Sequence, residues 1–257
     1  MDAICMGDIS SDELEYHENL YSGFAQQHFA KPAVRSFRRH LVKRIVHLTG
    51  ATHTSRVLSL GCGIGDTELL LAPFVNQITG IDYSSKAILQ AKQDAERGGF
   101  RNVVFQTGDP EQSCLLEGGF DVVMAVFFLH HLQDQRLERM VALIRKLLSP
   151  RGAFYSLDPN QHRLSGAIGR VIFPKIMRRY HSPDERELVP GKLHELFVAN
   201  GFAARIGIYD FFSTPLAGLL PSAVGLYRVA RMADELLVRM PLLKWFGSNF
   251  EIVAHPR

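Results

Sequence analysis

The chain has 257 residues, 46% hydrophobic and 21% charged, enough to bury a sizeable core and near the upper size at which one core serves one domain. A net charge of +3 is too small to imply a nucleic-acid partner, and Cys5, Cys62 and Cys114, odd in number and without paired short spacings, exclude a disulfide scaffold. They read as reduced thiols of a cytoplasmic protein, no structural metal is expected, the amino terminus lacks the pattern of a secretory signal, and no run of about 18 apolar residues offers a membrane span.

Residues 11 to 50 place Val34, Phe37, Leu41, Ile45 and Leu48 at helical intervals among arginines and lysines, which predicts a helical leader or cap over residues 1–50. From residue 51 short apolar runs take over: RVLSL, QITGID, NVVFQTGD, FDVVMAVFFL and GAFYSLD. Unbroken rather than alternating, they suit parallel strands covered by helices on both faces. Helices are predicted between them, over Ser84 to Gly98 with Ser84 as cap and over Asp134 to Leu148 ahead of Pro150. The repeating strand–helix unit over 51–158 makes the fold class α/β, a doubly wound sheet. Residues 159–257 are predicted to add lid insertions and closing strands to the same domain. They hold a basic apolar stretch to about His181, a helix at Gly191 to Asn200, a strand AARIGIYDFF, a long apolar helix from Leu216 to Phe246, and a last strand NFEIVAH.

In VLSLGCGIGDTELL the strand Val57 to Leu60 runs into Gly61, Gly63 and Gly65, and a helix opens near Asp66. Glycines allow a tight turn and a close ligand approach. A dinucleotide fingerprint needs its third glycine where Asp66 stands, and an acid at the positive end of a helix repels pyrophosphate. S-adenosylmethionine, with a cationic sulfonium and ammonium and no phosphate, meets no such repulsion. Asp82, ending ITGID, is placed to accept from ribose hydroxyls. Asp109, in TGDP, can accept from an adenine amino group, with Thr107 and Gly108 as wall, although Asp before Pro110 is also an ordinary turn.

These residues together resemble the class I, Rossmann-like S-adenosylmethionine-dependent methyltransferases, closely over Ser55 to Asp158 and loosely beyond. The resemblance rests on GCGIG, Asp82, GDP at 108 to 110 and FDVVMAVFFLHHL, in that order. It implies a seven-stranded, mostly parallel sheet with an antiparallel last strand and S-adenosylmethionine as cofactor. It further implies that Gly61, Gly63 and Gly65 line the methionine portion, that Asp82 binds the ribose and Asp109 the adenine, that Phe127 lies beside the cofactor, and that Cys62, Tyr83, Gly108 and Pro110 belong to the same cofactor-binding set. Ser59 stands where the family usually has an acid, leaving the methionine ammonium to backbone carbonyls such as that of Gly61, or to water.

Methyl transfer from a sulfonium depends mostly on alignment, and an alcohol or activated-carbon acceptor also needs a base. His130 and His131 follow the fourth strand at the carboxyl edge of the sheet, where ligands bind in such folds; as neighbours in a turn they are not both expected to point inward. Similar histidines occur in quinone-biosynthesis and natural-product methyltransferases, which makes Asp158, ending the fifth strand, the third catalytic candidate; its alternative is a turn before Pro159. Tyr16, Tyr21 and His28 are candidates to close over a substrate.

The stretch 162–181 mixes Leu164, Ile168, Val171, Ile172, Phe173, Ile176 and Met177 with Arg163, Arg170, Lys175, Arg178 and Arg179. That suits a lid with an apolar inner face, or contact with a membrane surface or acidic lipid. Leu226, Val229, Ala233, Leu236, Leu237 and Met240 are expected to form a second apolar face near the same end. The expected partner is a small apolar acceptor, isoprenoid, lipid-like or polyketide-like, methylated at oxygen or carbon. No nucleic acid is expected, since no Asn or Asp followed by Pro-Pro and an aromatic follows the fourth strand. Competing readings are a methyltransferase-like protein that binds cofactor without turnover, and a nicotinamide-dependent oxidoreductase on fold alone. The oligomeric state is left open.

Overall fold

Pro32 opens the longest helix among the described residues: its fixed φ suits a first helical position, and its missing N–H is not needed there. The computed structural model describes residues 15, 16, 18, 19, 21, 24–112, 118–166 and 186–257. A short helix α1 (Phe24–Phe29) precedes α2 (Pro32–Thr49), which ends at Gly50 in the left-handed conformation, φ 69°. The predicted stripe is the buried one, with Val34, Phe37, Leu41 and Ile45 facing inward.

The sheet then builds as β1 (Arg56–Leu60), α3 (Asp66–Leu71), β2 (Gln77–Asp82), α4 (Ser85–Arg97), β3 (Val103–Thr107), β4 (Phe120–Val126), α5 (Asp134–Leu147) and β5 (Leu148–Pro159). It continues with α6 (Pro190–Ala199), β6 (Phe202–Asp210), α7 (Ser213–Leu219), α8 (Val224–Leu237) and β7 (Asn249–Pro256). The strand order is β3-β2-β1-β4-β5-β7-β6, with β7 antiparallel to both β5 and β6. This is the doubly wound, seven-stranded sheet expected. The order reverses between β1 and β4, the switch point beyond whose carboxyl ends ligands bind in such sheets.

The unbroken strands are buried on both faces. Leu58 and Leu60 of β1 pack into one core with α5 and α6, while Val57 turns to the other face with Phe37, Leu41 and Ile45 of α2. Ser84 caps α4 as expected, its hydroxyl accepting from the Ala87 amide at 3.1 Å. Under the sheet Arg44 of α2 pairs with the buried Glu251 of β7, its Nε donating at 2.6 Å, and the Tyr155 hydroxyl of β5 donates to the same carboxylate at 3.1 Å.

Two expectations need correcting. The segment from Leu216 to Phe246 is not one helix: α7 and α8 are separate, with Pro221 between them. Asp234 of α8 accepts from the Phe211, Phe212 and Ser213 amides at 2.9–3.0 Å and so anchors the start of α7. Nor does the apolar stripe of α8 line the cavity at the glycine turn described below. Its buried positions are Tyr227, Ala230, Arg231 and Asp234, whereas Leu226, Val229, Leu236 and nearby Met240 are exposed. Hydrophobic spacing marks a stripe, but here the buried face is selected by polar groups that find partners inside, such as the Arg231 guanidinium on the Tyr209 carbonyl at 2.9 Å. Of the basic apolar stretch only the part to Gly166 is described, with Leu164 exposed; the part beyond, like Cys5 and Cys114, lies outside the described residues. Cys62 is buried and free. No helix among the described residues is long and apolar enough to cross a membrane.

Candidate active site

The turn after β1 is tied to the end of β2: the Gly61 and Cys62 amides both donate to the Ile81 carbonyl, at 2.9 and 3.1 Å. Gly61, Gly63 and Gly65 have φ of 67°, 52° and 73°, the left-handed region that side chains other than glycine resist. Each is also crowded. A Cβ at Gly61 would meet the Phe128 ring at 2.3 Å, one at Gly63 the Tyr21 hydroxyl at 2.8 Å, and one at Gly65 the Phe105 ring at 2.4 Å. Gly61 and Gly65 are therefore required by conformation and by packing at once, and Gly63 by conformation.

Asp82 ties the neighbouring loops together. Its Oδ2 accepts from the Gly63 amide at 2.8 Å, its Oδ1 from the Ser84 amide at 2.9 Å, and its carbonyl from the Gly108 amide at 3.0 Å. Each carboxylate oxygen accepts more than one hydrogen bond, so this bracing is compatible with a diol ligand.

A cavity of about 340 Å³ opens on the glycine turn. Its wall holds Gly61, Cys62 and Gly63 from the turn, Phe127, His130 and His131 from beyond β4, and Tyr16, Tyr21 and His28 from the leader. These predicted residues are brought together. Ser59, Gly65, Asp82, Tyr83, Gly108, Asp109, Pro110 and Asp158 are not in this wall. Asp82 and Asp158 stand directly behind residues that are.

Phe127 is the described non-glycine residue with positive φ, 54°, held by its amide on the Leu157 carbonyl at 2.8 Å. Such backbone costs on the order of 1–2 kcal/mol and persists where surrounding structure enforces it. It turns the chain into a short helical turn, Leu129–His131. That turn overturns one expectation, because His130 and His131 both line the cavity, ring centroids 4.1 Å apart. With three residues per turn, consecutive side chains diverge by about 120° rather than the roughly 180° of an extended chain, so both rings reach one cavity.

Asp158 is a strand residue rather than a free turn, fully buried and paired across the sheet with Phe250. Its Oδ1 lies 3.0 Å from His130 Nδ1 and accepts from the His130 amide at 3.3 Å. An ionised carboxylate only accepts, so in the neutral ring Nδ1 carries the hydrogen and Nε2 keeps its lone pair.

Asp109 is buried and committed to its surroundings. Its Oδ1 accepts from Arg136 Nη2 at 3.1 Å and from the Glu111 amide at 2.9 Å. Arg136, on α5, also donates to Glu111 at 3.1 Å and stacks over the Tyr83 ring at 5.1 Å. Nothing in the sequence pointed to Arg136, which lies on an ordinary amphipathic helix. The Asp-before-Pro turn and the ion pair account for Asp109 in this structure.

Asp66 does not stand as a bare negative charge at the start of α3. Arg38 of α2 lines the cavity and holds the Asp66 carboxylate at 2.7 Å, so that charge is compensated. The uncompensated acid is one that sequence reading missed. Glu68 is buried in the cavity wall, its Oε1 accepts from the Ser59 hydroxyl at 2.6 Å, and its Oε2 has no hydrogen-bond partner. Burial pushes its carboxyl up to about 7. Three residues past Gly65, Glu68 has the spacing of a residue that reaches back to cap its own helix; only the tertiary structure directs it to Ser59 instead.

The leader is docked on the same site. Glu18 accepts from the Ser84 hydroxyl at 2.9 Å and the Lys86 amide at 3.3 Å, at the start of α4. Burial, with Asp82 and Asp66 nearby, pushes the Tyr21 phenol well above its ordinary value, keeping it neutral over the glycine turn.

Residues 57–152 match a family model described as a methyltransferase domain. The chain is 31% identical over 103 residues to the uncharacterized methyltransferase YcgJ of Bacillus subtilis (strain 168), covering 40% of each chain. It is 30% identical over 162 residues to the demethylmenaquinone methyltransferase of Leptospira interrogans serovar copenhageni, covering 54% of this chain and 62% of that one. The matches thus span 40% to 62% of these relatives' lengths. The structure of magnesium protoporphyrin IX methyltransferase from Synechocystis PCC 6803 with bound SAH superimposes with a TM-score of 0.64 at 17% identity, over 96% of this chain and 100% of that one, a likeness of fold. By motif order, strand order and this match, the chain carries a methyltransferase domain over residues 57–152 and resembles the class I, Rossmann-like S-adenosylmethionine-dependent methyltransferases.

Proposed function

We propose that this protein transfers the methyl group of S-adenosylmethionine to an oxygen or carbon of a small, apolar acceptor. The observation that carries the reading is a single cavity with the glycine turn in one wall and a histidine held on a buried aspartate in another. The residues fit the cofactor. The turn's left-handed backbone favours glycine at all three positions, the buried Glu68 oxygen lacks a donor, and Asp82 stands behind the turn at the end of β2. When bound, the cofactor supplies an electrophilic methyl group. The chain's part is to hold an acceptor atom in line with it, exclude water and take up a proton.

His130 is the proposed base, with Nε2 as the receiving atom and Asp158 setting its tautomer and stabilising the charged ring. Tyr83, Gly108, Asp109 and Pro110 form the proposed adenine end, with Asp109 acting through its loop rather than as a free acceptor. Phe29, Val34, Phe37 and Phe127 give the cavity an apolar side, which suits an isoprenoid or polyketide-like acceptor and agrees in kind with a relative named for demethylmenaquinone. The exposed apolar face of α8, Val229, Met232 and Leu236, flanked by Arg228 and Arg239, supports collection of such an acceptor from an anionic lipid surface.

Calorimetric titration with S-adenosylmethionine, S-adenosylhomocysteine and reduced nicotinamide cofactors, repeated with Asp82→Ala, tests the cofactor. Binding of the adenosyl compounds alone, lost in the variant, is expected; nicotinamide binding would overturn it. Transfer of labelled methyl to a demethylated quinol then tests turnover, and cofactor binding without transfer to any apolar acceptor tried would favour a binding protein that has lost turnover. Retention on anionic but not neutral vesicles, lost in Val229→Glu, is expected for the lipid surface, and no retention on either sinks it.

A further inference from the structure

Glu68 is a carboxyl group of the cavity wall whose hydrogen bonding the fold leaves incomplete, as it does that of the Thr214 hydroxyl. It is 2% exposed, on the first turn of α3, and its Oε2 is buried with no hydrogen-bond partner. A buried polar atom without a partner costs stability, and more so when the group is ionised. The charges around it do not complete it. Asp66, on the same helix, is taken by Arg38 of α2, whose Nη1 goes to Thr67 at 3.1 Å. Ser59 of β1 satisfies only Oε1, and the Cys62 thiol of the turn is kept neutral by burial and by Glu68 itself. The glycine turn therefore opens beside a carboxylate that lacks a cation.

We infer that Glu68 receives the amino-acid ammonium of the cofactor, with Ser59 as the positioning residue that fixes its other oxygen. This rests on the cofactor reading above. The ammonium rather than the sulfonium is the partner for two reasons. An unpartnered carboxylate oxygen needs an N–H donor, which the sulfonium does not have. A carboxylate in line with the methyl group would also be a competing nucleophile. The elevated Glu68 carboxyl makes recognition depend on protonation: below about pH 7 the empty site holds a neutral acid, and the incoming ammonium favours the carboxylate, releasing the proton to solvent.

Two ligands separate the amino-acid end from the rest. S-adenosylhomocysteine carries the ammonium, and 5′-methylthioadenosine keeps the adenosine and sulfur without it. Glu68→Gln is expected to weaken S-adenosylhomocysteine by about tenfold or more and leave methylthioadenosine unchanged. In the wild type, S-adenosylhomocysteine affinity is expected to rise with pH from about 5.5 to 7, with about one proton released at pH 6 when compared across buffers of different ionisation enthalpy. Ser59→Ala is expected to move that pH midpoint upward, since its hydroxyl stabilises the ionised acid, without changing methylthioadenosine binding. Equal loss of both ligands in Glu68→Gln, no loss of either, or no proton release by the wild type overturns the assignment while the cofactor reading stands. A wild type that binds neither ligand overturns the cofactor reading itself. The wild-type arm decides the matter even should Glu68→Gln not fold.

Discussion

At the scale of single residues, the site works through carboxylates whose partners differ. Asp82 braces loops, Asp158 orients a ring, Asp66 is neutralised by Arg38, and Glu68 has only a serine. His130→Gln should lower methyl transfer by about a hundred- to ten-thousand-fold while leaving S-adenosylhomocysteine affinity unchanged, read by single-turnover kinetics beside calorimetry. Asp158→Asn should lower transfer in the same direction, because an amide does not stabilise a charged ring. Glu68 also carries a stability prediction for the ligand-free protein. Its folded carboxyl is raised from the ordinary 4.5 to about 7, so the folded state binds the extra proton between those values. The stability associated with it is present below about pH 4.5 and is lost as pH rises through 7. Compared with Glu68→Gln, the wild type should therefore lose on the order of 3 kcal/mol across that window, measured by urea unfolding at several pH values.

At the scale of elements, two left-handed glycines separate backbone cost from packing cost. Gly50 closes α2 with φ 69° and open space where a Cβ would stand, whereas Gly65, with φ 73°, opens α3 against the Phe105 ring. Gly50→Ala should cost about 1 kcal/mol and leave ligand binding intact. Gly65→Ala should cost more and weaken S-adenosylhomocysteine, since the ring or the turn must move. Thermal unfolding with and without ligand distinguishes the two. Strands and helices of the core were legible because their signals are local: unbroken apolar runs, helical spacing in the leader, a serine cap at Ser84. The break between α7 and α8 was not foreseen, although Pro221 marks it, because the apolar pattern continues across it. The anchor of α7, Asp234, lies on the following helix, 21 residues from Ser213.

At the scale of the whole molecule, the leader is bound to the sheet by more than apolar contact. Arg44 and Glu251 are 207 positions apart, and the carboxylate is buried beneath β5 and β7. Arg44→Met should cost about 3 kcal/mol by stranding a buried carboxylate, and adding Glu251→Leu should recover part of it. Chemical denaturation of the single and double variants checks this. The same leader carries Tyr21 and Arg38 to the glycine turn, so loosening it should weaken ligand binding as well.

The sequence by itself determined the strand-and-helix alternation, the glycine turn and the histidines after β4, because covalent spacing and local hydrophobicity suffice for each. It also marked Ser59 as an unusual residue at that turn. Only the tertiary structure decided that Glu68 reaches Ser59, which face of α8 is buried, that His130 and His131 share a cavity, and that Arg38 pairs with Asp66. Each of these depends on which side chains distant in the chain come within hydrogen-bond or van der Waals reach, and charge and contact act through space rather than along the chain.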